Sequence, residues 1–357
     1  MDRYIIAKYL GTFTFTLGLF IVITVVFDIS EHIDNFLKSG SSLGQIATQY
    51  YGGFIPFYMN YLSPLINFLA VIFFTAKMAN QTEIVPILTS KASFNRFLRP
   101  YFISSTIVFI VSLVANVYLI PYTNKLKITF ENENGFYSDD DPTRSEVHMQ
   151  IDKRTYVYVG NFDKTINTGY NFILEKYDGD LLREKMTAQS AAYDTVKKKW
   201  SIINPQIRYV NGLKEVWKDG IGKIDTVLNM QPTDFIKIDN EYTAMPLSII
   251  NSTIEKEKLR RPEVLPAIYY EKYRRFIYPL STYVLTLIGV AVSSRRVRGG
   301  IGLPLGIGIF LCFAYIVVDK FAMVFCVQGG IPAIIAAFIP NVSFGLLGYY
   351  LLLKAPK

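Results

Sequence analysis

Two long uncharged runs enclose the polar segment KMANQTEIVPILTSKASFNRFLR, residues 77–99. The runs, residues 54–76 and 101–124, are each long enough to cross a bilayer core, which takes about 20 apolar residues in a helix. The segment is therefore expected at one membrane face. Its apolar residues recur mostly at steps of three and four, which predicts short amphipathic helices along a surface. These residues are Ile84, Ile87, Leu88, Phe94, Phe97 and Leu98. Thr82 is expected to cap the first helix, with Glu83 in its first turn.

The composition predicts a membrane part joined to a separate water-facing part. Of the 357 residues, 51% are hydrophobic, more than a soluble domain of this size needs, yet 18% are charged, more than a bare bundle of spans carries. The net charge is +8, but the basic residues cluster at the ends of apolar runs as topology anchors, so we do not expect nucleic-acid binding. Cys312 and Cys326 are predicted to be small buried residues, not disulfide or metal ligands.

The apolar pattern predicts six membrane spans. The run at residues 9–27 follows a basic start without a cleavage site, which indicates an uncleaved span rather than a signal peptide. Polar residues inside the second span, Asn60 and Asn67 among them, are expected to face protein or a cavity. The remaining runs are 54–76, 101–124, 276–294, 299–318 and 321–353, and the break QGGIP at 328–332 separates a fifth span from a sixth.

Residues 123–270 contain no run of spanning length, and several segments alternate apolar and polar residues. This pattern predicts an all-β sandwich or jelly roll of about 140 residues. The alternating segments are 155–160, 170–177, 199–210 and 234–239, and the turn signals are 167–169, 178–179, 211–212 and 219–220. The predicted fold is an α-helical membrane protein with six transmembrane helices and an inserted jelly-roll-like domain. Its parts are 1–122 (spans one to three, with segment 77–99), 123–270 (the β domain) and 271–357 (spans four to six).

The short loops predict the orientation of these spans. Six spans place both termini on one side, and the loops on that side are rich in lysine and arginine. They carry Arg3, Lys8, Lys77, Lys91, Arg96, Arg99, Arg295, Arg296, Arg298, Lys354 and Lys357. The opposite loops carry only Lys38 and Lys320. The positive-inside rule therefore predicts cytoplasmic termini, a cytoplasmic segment 77–99 and an external β domain.

Motifs for self-contained catalysis are missing. The sequence has no GxxxxGK[ST] loop, HExxH or GxSxG, and His32 and His148 lie far apart. We expect no enzymatic activity and no cofactor. A membrane chain with an amphipathic connector and no motor of its own is typical of a transporter subunit driven by a separate ATPase.

Several short motifs resemble those of a known family. They are Thr82-Glu83-Ile84-Val85 with Ser93 and Arg96, Glu271 with Arg275 and Pro279, Gly330-Ile331-Pro332, Phe338-Ile339-Pro340-Asn341, and, more weakly, Ala188, Ala191 and Tyr193 before Trp200. Over essentially its whole length the chain resembles the LptF/LptG (YjgP/YjgQ-type) lipopolysaccharide export permeases, whose members have three spans, a periplasmic β-jelly-roll domain and three more spans.

The resemblance implies a permease subunit of an ATP-binding-cassette transporter in the bacterial inner membrane. Such a permease extracts lipopolysaccharide and passes it to a periplasmic β-jelly-roll bridge. The implied partners are an LptB-like ATPase dimer, a second LptF/LptG-type permease and LptC/LptA-like periplasmic jelly-roll proteins. The loop after the second span would carry a coupling helix that docks on the ATPase, although Pro86 and Lys91 depart from the family pattern. The implied coupling residues are Glu83, Ile84, Ile87, Ser93 and Arg96.

Basic residues at the outer ends of the spans are candidates for contact with lipid phosphates. Arg274 and Arg275 suit phosphate because of their guanidinium forks, but they equally suit an interfacial anchor. Lys320 is a further candidate and Lys38 a weaker one. Asp319 is adjacent to Lys320 and so does not face it on a helix, and we expect Asp319 to face a cavity or partner.

Two rival functions remain open at this point. A membrane-anchored periplasmic sensor or assembly scaffold would purify without an ATPase. A lipoprotein-release or macrolide-type exporter is a transport alternative, but such permeases usually have four spans.

Overall fold

The structure, a computed structural model, describes residues 2–84, 86, 94–134, 136, 146–235, 241–294 and 300–354. The chain divides into two compact units. A helical unit comprises Met1–Phe136, Tyr242–Ile250 and Pro266–Lys357, and a β unit comprises Tyr137–Glu241 and Asn251–Leu265.

Six helices in the described ranges are long and apolar enough to cross a membrane, so the prediction of six spans is confirmed. The spanning helices are α1 (Asp2–Ser39), α2 (Leu43–Gln45, a π-helical turn Ile46–Tyr50 and Tyr51–Asn80), α3 (Phe94–Val114, a π-helical turn Ala115–Leu119 and Ile120–Glu133), α5 (Leu265–Ile277, a 3-10 turn Tyr278–Leu280 and Ser281–Ser293), α6 (Gly302–Val327) and α7 (Ala333–Leu353). A shorter helix, α4 (Leu247–Arg260), precedes α5.

Helices α2 and α5 form the centre of the helical unit and pack against each other. Helix α1 packs against α2 and α3, and α3 also packs against α2 and α5. Helix α6 packs against α2 and α7, and α7 also packs against α5. Glycines permit close approach at these contacts, as in other membrane helices. A Cβ at Gly53 of α2 would lie 2.4 Å from the Thr123 carbonyl oxygen of α3, and one at Gly308 of α6 would lie 2.4 Å from Ile72 Cδ1.

Two helices extend well beyond the uncharged runs that predicted them. Helix α1 continues through the acidic stretch after residue 27 to Ser39, because Asp28 finds partners within the unit. Helix α3 continues to Glu133, where Lys127 and Glu131 form an ion pair of 3.1 Å one helical turn apart. The predicted domain boundary at residues 122 and 123 therefore lies inside α3, and the β unit is shorter than the predicted 123–270.

The β unit contains an antiparallel sheet of eight strands in its described part. They are β1 (Val147–Asp152), β2 (Thr155–Asp163), β3 (Thr168–Asp178), β4 (Leu181–Asp194), β5 (Lys199–Ile203), β6 (Gln206–Asn211), β7 (Lys214–Lys218) and β8 (Lys223–Thr226). The order is β1-β2-β3-β4-β5-β8, and β6 pairs with β4 and β7. The long strand β4 pairs with β5 through residues 190–194 and with β6 through residues 184–187.

One face of this sheet carries the core of the β unit. Register pairs such as Val157 with Leu174 and Val159 with Phe172 place apolar side chains on the buried face. Trp200 is 1% exposed, lies 6.0 Å from the Phe235 ring centroid and donates from its indole nitrogen to the Met230 carbonyl at 3.0 Å. This hydrogen bond satisfies the one polar group of a large buried ring.

The predicted strands are confirmed in part. Segments 155–160 and 170–177 lie in β2 and β3, and segment 199–210 divides into β5 and β6. The strand predicted at 234–239 is wrong at its start, since Asp234 and Phe235 lie in the 3-10 turn Pro232–Phe235, and residues 236–239 lie outside the described ranges. The glycines of three turn signals, Gly179, Gly212 and Gly220, have the positive φ that such turns favour.

Candidate functional site

The start of segment 77–99 completes the C-terminal cap of α2. Thr82 has a φ of +57°, and the Thr82 and Glu83 amides donate to the carbonyls of Ala79 and Met78 at 3.1 and 3.0 Å. These bonds form a Schellman motif with Thr82 in the left-handed position. The prediction that Thr82 caps the following helix is wrong, because a helix N-cap requires extended backbone.

Apolar residues of the segment anchor it to the helices. Ile84 is only 2% exposed, and Phe97 and Leu98 are also buried in the same cluster as Ile5 and Met78. The side chain of Ile84 therefore contacts this chain's own core, and its role in coupling stays a prediction. The periodicity identified an apolar face but could not tell whether a partner or this chain covers it.

Polar residues tie the same segment to the first turn of α1. The Tyr4 hydroxyl donates to Glu83 Oε2 at 3.2 Å, and Arg96 Nη1 lies 2.9 Å from Asp2 Oδ1. Glu83 is half-buried and Arg96 is exposed, so both remain near the surface. The other predicted coupling residues, Ile87 and Ser93, lie outside the described ranges, as does Lys91.

Further parts of the chain reach this same end of the helical unit. Leu352, near the end of α7, packs against the cluster that contains Ile84. An added Cβ at Gly300, just before α6, would lie 4.0 Å from Asn80 Nδ2 at the end of α2. The connections predicted on one membrane face are thus neighbours in space.

The guanidinium of Arg275, a predicted lipid-phosphate contact, binds groups of the protein itself. Its side chain is 2% exposed, and its guanidinium donates to the carbonyls of Met245, Tyr242 and Thr243 at 2.7, 2.7 and 3.1 Å and to Glu271 at 3.3 Å. These contacts use its donors and exclude solvent. Arg275 therefore holds residues 242–245 onto α5, and its surroundings do not fit a lipid headgroup.

Arg274 has a different environment from its neighbour. Its guanidinium lies 4.5 Å from the Tyr278 ring centroid and 5.5 Å from that of Tyr61, and Nη2 lies 3.5 Å from Asp319 Oδ2. The Tyr270 hydroxyl also contacts Asp319, at 3.4 Å. Asp319 thus faces a partner on α5, as predicted for a charge inside a span. Arg274 remains half-buried with part of its surface open.

Lys38 and Lys320, the two remaining lipid candidates, are exposed. Lys38 lies at the C-terminal end of α1, and Lys320 lies on α6 beside Asp319. Within the described ranges neither forms an ion pair.

An acidic and aromatic cluster near the other end of α1 was missed by sequence reasoning. Asp28 is buried and accepts hydrogen bonds from the hydroxyls of Tyr50 and Tyr51 at 3.0 Å each, and His32 Nδ1 lies 3.3 Å from Asp28 Oδ1. Lys127 Nζ lies 5.6 Å from the Tyr50 ring centroid. The signal that could have found this cluster is a carboxylate at the end of an apolar run facing a pair of tyrosines at the start of the next.

Asn60 and Asn67, inside the second span, form hydrogen bonds with polar side chains of neighbouring helices, as predicted. Tyr9 donates to Asn67 Oδ1 at 2.6 Å, and Asn67 Nδ2 donates to Thr286 at 2.9 Å, which joins α1, α2 and α5. Asn60 accepts from Ser112 of α3 at 2.8 Å. Such bonds fix helix contacts in a medium that offers no water.

The described residues form no group of three or more histidine, cysteine, aspartate or glutamate side chains that could hold a metal ion. Cys312 and Cys326 are buried, as predicted, and burial of small thiols is typical of packing. The contacts described above can anchor segment 77–99 to the helices and can join the spanning helices to one another.

A six-span membrane protein with an inserted antiparallel β unit is the class that these features define. The sequence model of the lipopolysaccharide export system permease LptF/LptG matches residues 3–354, and the chain belongs to this family. It is accordingly a multi-pass inner-membrane permease of a lipopolysaccharide export system, and the predicted family is confirmed. No curated protein sequence matches the chain closely enough to count as a relative.

Proposed function

We propose that this chain is the permease subunit of an ATP-binding-cassette transporter that extracts lipopolysaccharide from the inner membrane. An LptB-like ATPase dimer supplies the energy, and a second LptF/LptG-type permease completes the membrane part. LptC/LptA-like periplasmic jelly-roll proteins receive the lipid. Closure of the ATPase moves segment 77–99, narrows a cavity between the two permeases and drives lipid towards the β units.

The anchoring of segment 77–99 is the observation that carries this proposal. The side chains of Ile84, Phe97 and Leu98 are buried against α1 and α2, while Glu83 and Arg96 stay near the surface. A push on the surface residues is therefore passed to the spans. In this role Glu83 contacts a basic rim of the ATPase, whereas a carboxylate that only stabilised its own helix would contribute about 0.3–1 kcal/mol.

The charge distribution supports the orientation that this mechanism needs. Basic residues are concentrated on segment 77–99 and near both termini, which favours a cytoplasmic position for them and a periplasmic one for the β unit. The ATPase and the lipid acceptor then lie on opposite sides of the membrane.

The energetics of lipid transfer require a route that is apolar along its whole length. Moving a methylene group from a bilayer to water costs about 0.8 kcal/mol, so an acyl chain of about a dozen carbons costs roughly 10 kcal/mol. The route must therefore keep the acyl chains out of contact with water. Helix α1 offers exposed apolar side chains along its middle, including Phe15, Val22 and Val26, and a second permease opposite this face would enclose a cavity.

Lipid phosphates are bound near the outer ends of the spans in this proposal. Lys38 and Lys320 are exposed, and Arg274 keeps part of its guanidinium open, so these three are the proposed contacts. Arg275 is left out because its donors are used within the protein.

Co-purification from native membranes tests the proposed class of protein. An affinity-tagged chain is expected to bring down a nucleotide-binding subunit together with a second six-span chain. Recovery of the chain without either would favour the sensor or scaffold alternative.

A further inference from the structure

Both polar contacts of segment 77–99 with the rest of the chain described above end on the first turn of α1. The Tyr4 hydroxyl reaches Glu83, and the Asp2 carboxylate pairs with Arg96. The partners are 79 and 94 residues apart in sequence, so the fold itself brings them together. In sequence, Glu83 precedes Ile87 and Arg96 follows Ser93.

The first turns of α1 are also firmly held by the centre of the helical unit. Ile5 and Tyr9 are fully buried, and the Tyr9 hydroxyl lies 2.6 Å from Asn67 Oδ1 of α2 and 3.1 Å from Thr286 Oγ1 of α5. A displacement of Glu83 and Arg96 is therefore transmitted to α1 through Tyr4 and Asp2, close to the point where α1 joins α2 and α5.

We propose that Asp2 and Tyr4 are positioning residues of the coupling segment: Tyr4 orients the Glu83 carboxylate, Asp2 fixes the Arg96 guanidinium, and together they couple α1 to the movement of the segment. This inference rests on the function proposed above. The middle of α1 carries exposed apolar side chains, so a displacement of α1 changes the apolar surface that acyl chains contact.

A double-mutant cycle tests the contact between Tyr4 and Glu83. The full chain, in complex with its ATPase and second permease, is placed in proteoliposomes that contain lipopolysaccharide, and the lipid released per ATP hydrolysed is measured. The variants are Tyr4→Phe, Glu83→Ala, which removes the acceptor of this hydrogen bond, and the double variant. The control is Tyr349→Phe, because Tyr349 is 61% exposed on α7 and lacks a hydrogen-bond partner within the described ranges.

Tyr4→Phe is expected to lower the lipid released per ATP about twofold to tenfold, the range that follows from loss of one hydrogen bond. It should cause no further loss in the Glu83→Ala background, where the acceptor is already gone, and Tyr349→Phe should match the wild type. An equal loss in both backgrounds would show that Tyr4 acts independently of Glu83 and would overturn the inference. A loss with Glu83→Ala but none with Tyr4→Phe would overturn it too, yet leave the proposed function standing. No effect of Glu83→Ala would overturn both.

The ion pair between Asp2 and Arg96 provides a second test. In this test the yield of assembled complex shows whether each variant folds. Asp2→Arg is expected to lower the lipid released per ATP at an unchanged yield of assembled complex, and adding Arg96→Asp should restore at least half of the loss. If the reversed pair gives no recovery while the complex assembles normally, Asp2 does not position Arg96.

Discussion

Arg274 and Arg275 are adjacent, yet their guanidinium groups have different surroundings. Arg275 donates to three backbone carbonyls and Glu271, whereas Arg274 lies over two tyrosine rings beside Asp319. Successive residues of a helix point about 100° apart, so one faces the protein core and the other its edge. From the sequence, Arg274 and Arg275 were equally suited to contact lipid phosphate or to anchor the helix at the interface. The backbone carbonyls that bind Arg275 cannot be recognised in a sequence pattern.

Removal of the Arg275 side chain is expected to destabilise the helical unit. Arg275→Ala leaves buried acceptors and the Glu271 carboxylate without their partner, and loss of one member of a buried ion pair costs about 3–5 kcal/mol. The midpoint of thermal unfolding in detergent should fall markedly. Lys320→Ala is the control, since this side chain is exposed and its loss should leave the midpoint unchanged. An unchanged midpoint for Arg275→Ala would contradict the structural role.

Glu175 in the β unit gives a prediction for acid stability. Lys185 Nζ at 2.9 Å and the Tyr177 hydroxyl at 2.9 Å hold the pKa of Glu175 below its ordinary value of 4.5. A lowered pKa in the folded state contributes stability above the unfolded value, and this stability is lost as the pH falls through the folded value.

The denaturant midpoint of the β unit is therefore expected to fall as the pH decreases below about 4.5. Glu175→Gln should reduce the slope without abolishing it, since other carboxylates also have a lowered pKa. They are Asp163, Asp194 and Asp225. A slope in Glu175→Gln equal to that of the wild type would contradict the assignment.

At the scale of elements, uncharged runs located the spans well but not their ends. A charge can continue a helix when the fold supplies a partner, as Tyr50 and Tyr51 do for Asp28 and as Lys127 does for Glu131. Strand β4 was not predicted either, because its sequence lacks the expected pattern. Its sequence, LLREKMTAQSAAYD, lacks a clear alternation of apolar and polar residues, and its burial is irregular too, since the adjacent residues Ser190 and Ala191 are both buried.

The two tryptophans of the chain allow the core of the β sheet to be tested directly. Trp200 is 1% exposed on β5, while Trp217 is 58% exposed on β7. Trp200→Ala is expected to destabilise the β unit by about 3–5 kcal/mol, because it removes a large buried ring. Trp217→Ala should change stability by less than about 0.5 kcal/mol. Denaturant unfolding followed by circular dichroism measures both, and equal effects would contradict the position of the core.

For the whole molecule, the order of six spans around a β insertion followed from composition and periodicity, and the family followed from short motifs. The arrangement of the coupling segment did not. Its anchoring depends on contacts between residues more than 70 positions apart, such as Tyr4 with Glu83, and one sequence does not encode such contacts in any local pattern.

The proposed orientation predicts which surfaces a membrane-impermeant maleimide reaches. Cys312 and Cys326 are buried, so a cysteine introduced at an exposed position dominates the labelling. In spheroplasts Leu213→Cys, on the exposed turn between β6 and β7, should be labelled at once. Lys354→Cys should be labelled only after the membrane is permeabilised. The reverse pattern would place the β unit in the cytoplasm and contradict the proposed export route.

The coupling of ATP hydrolysis to lipid release tests the central claim most directly. In proteoliposomes that contain the chain, its ATPase and its second permease, lipopolysaccharide release and ATP hydrolysis are measured together for the wild type, Glu83→Ala and Glu83→Lys. We predict that both variants still assemble and hydrolyse ATP but release much less lipid per ATP, with the larger loss for Glu83→Lys because it reverses the charge. Lipid release per ATP equal to that of the wild type in both variants would contradict the claim that this chain is driven through segment 77–99.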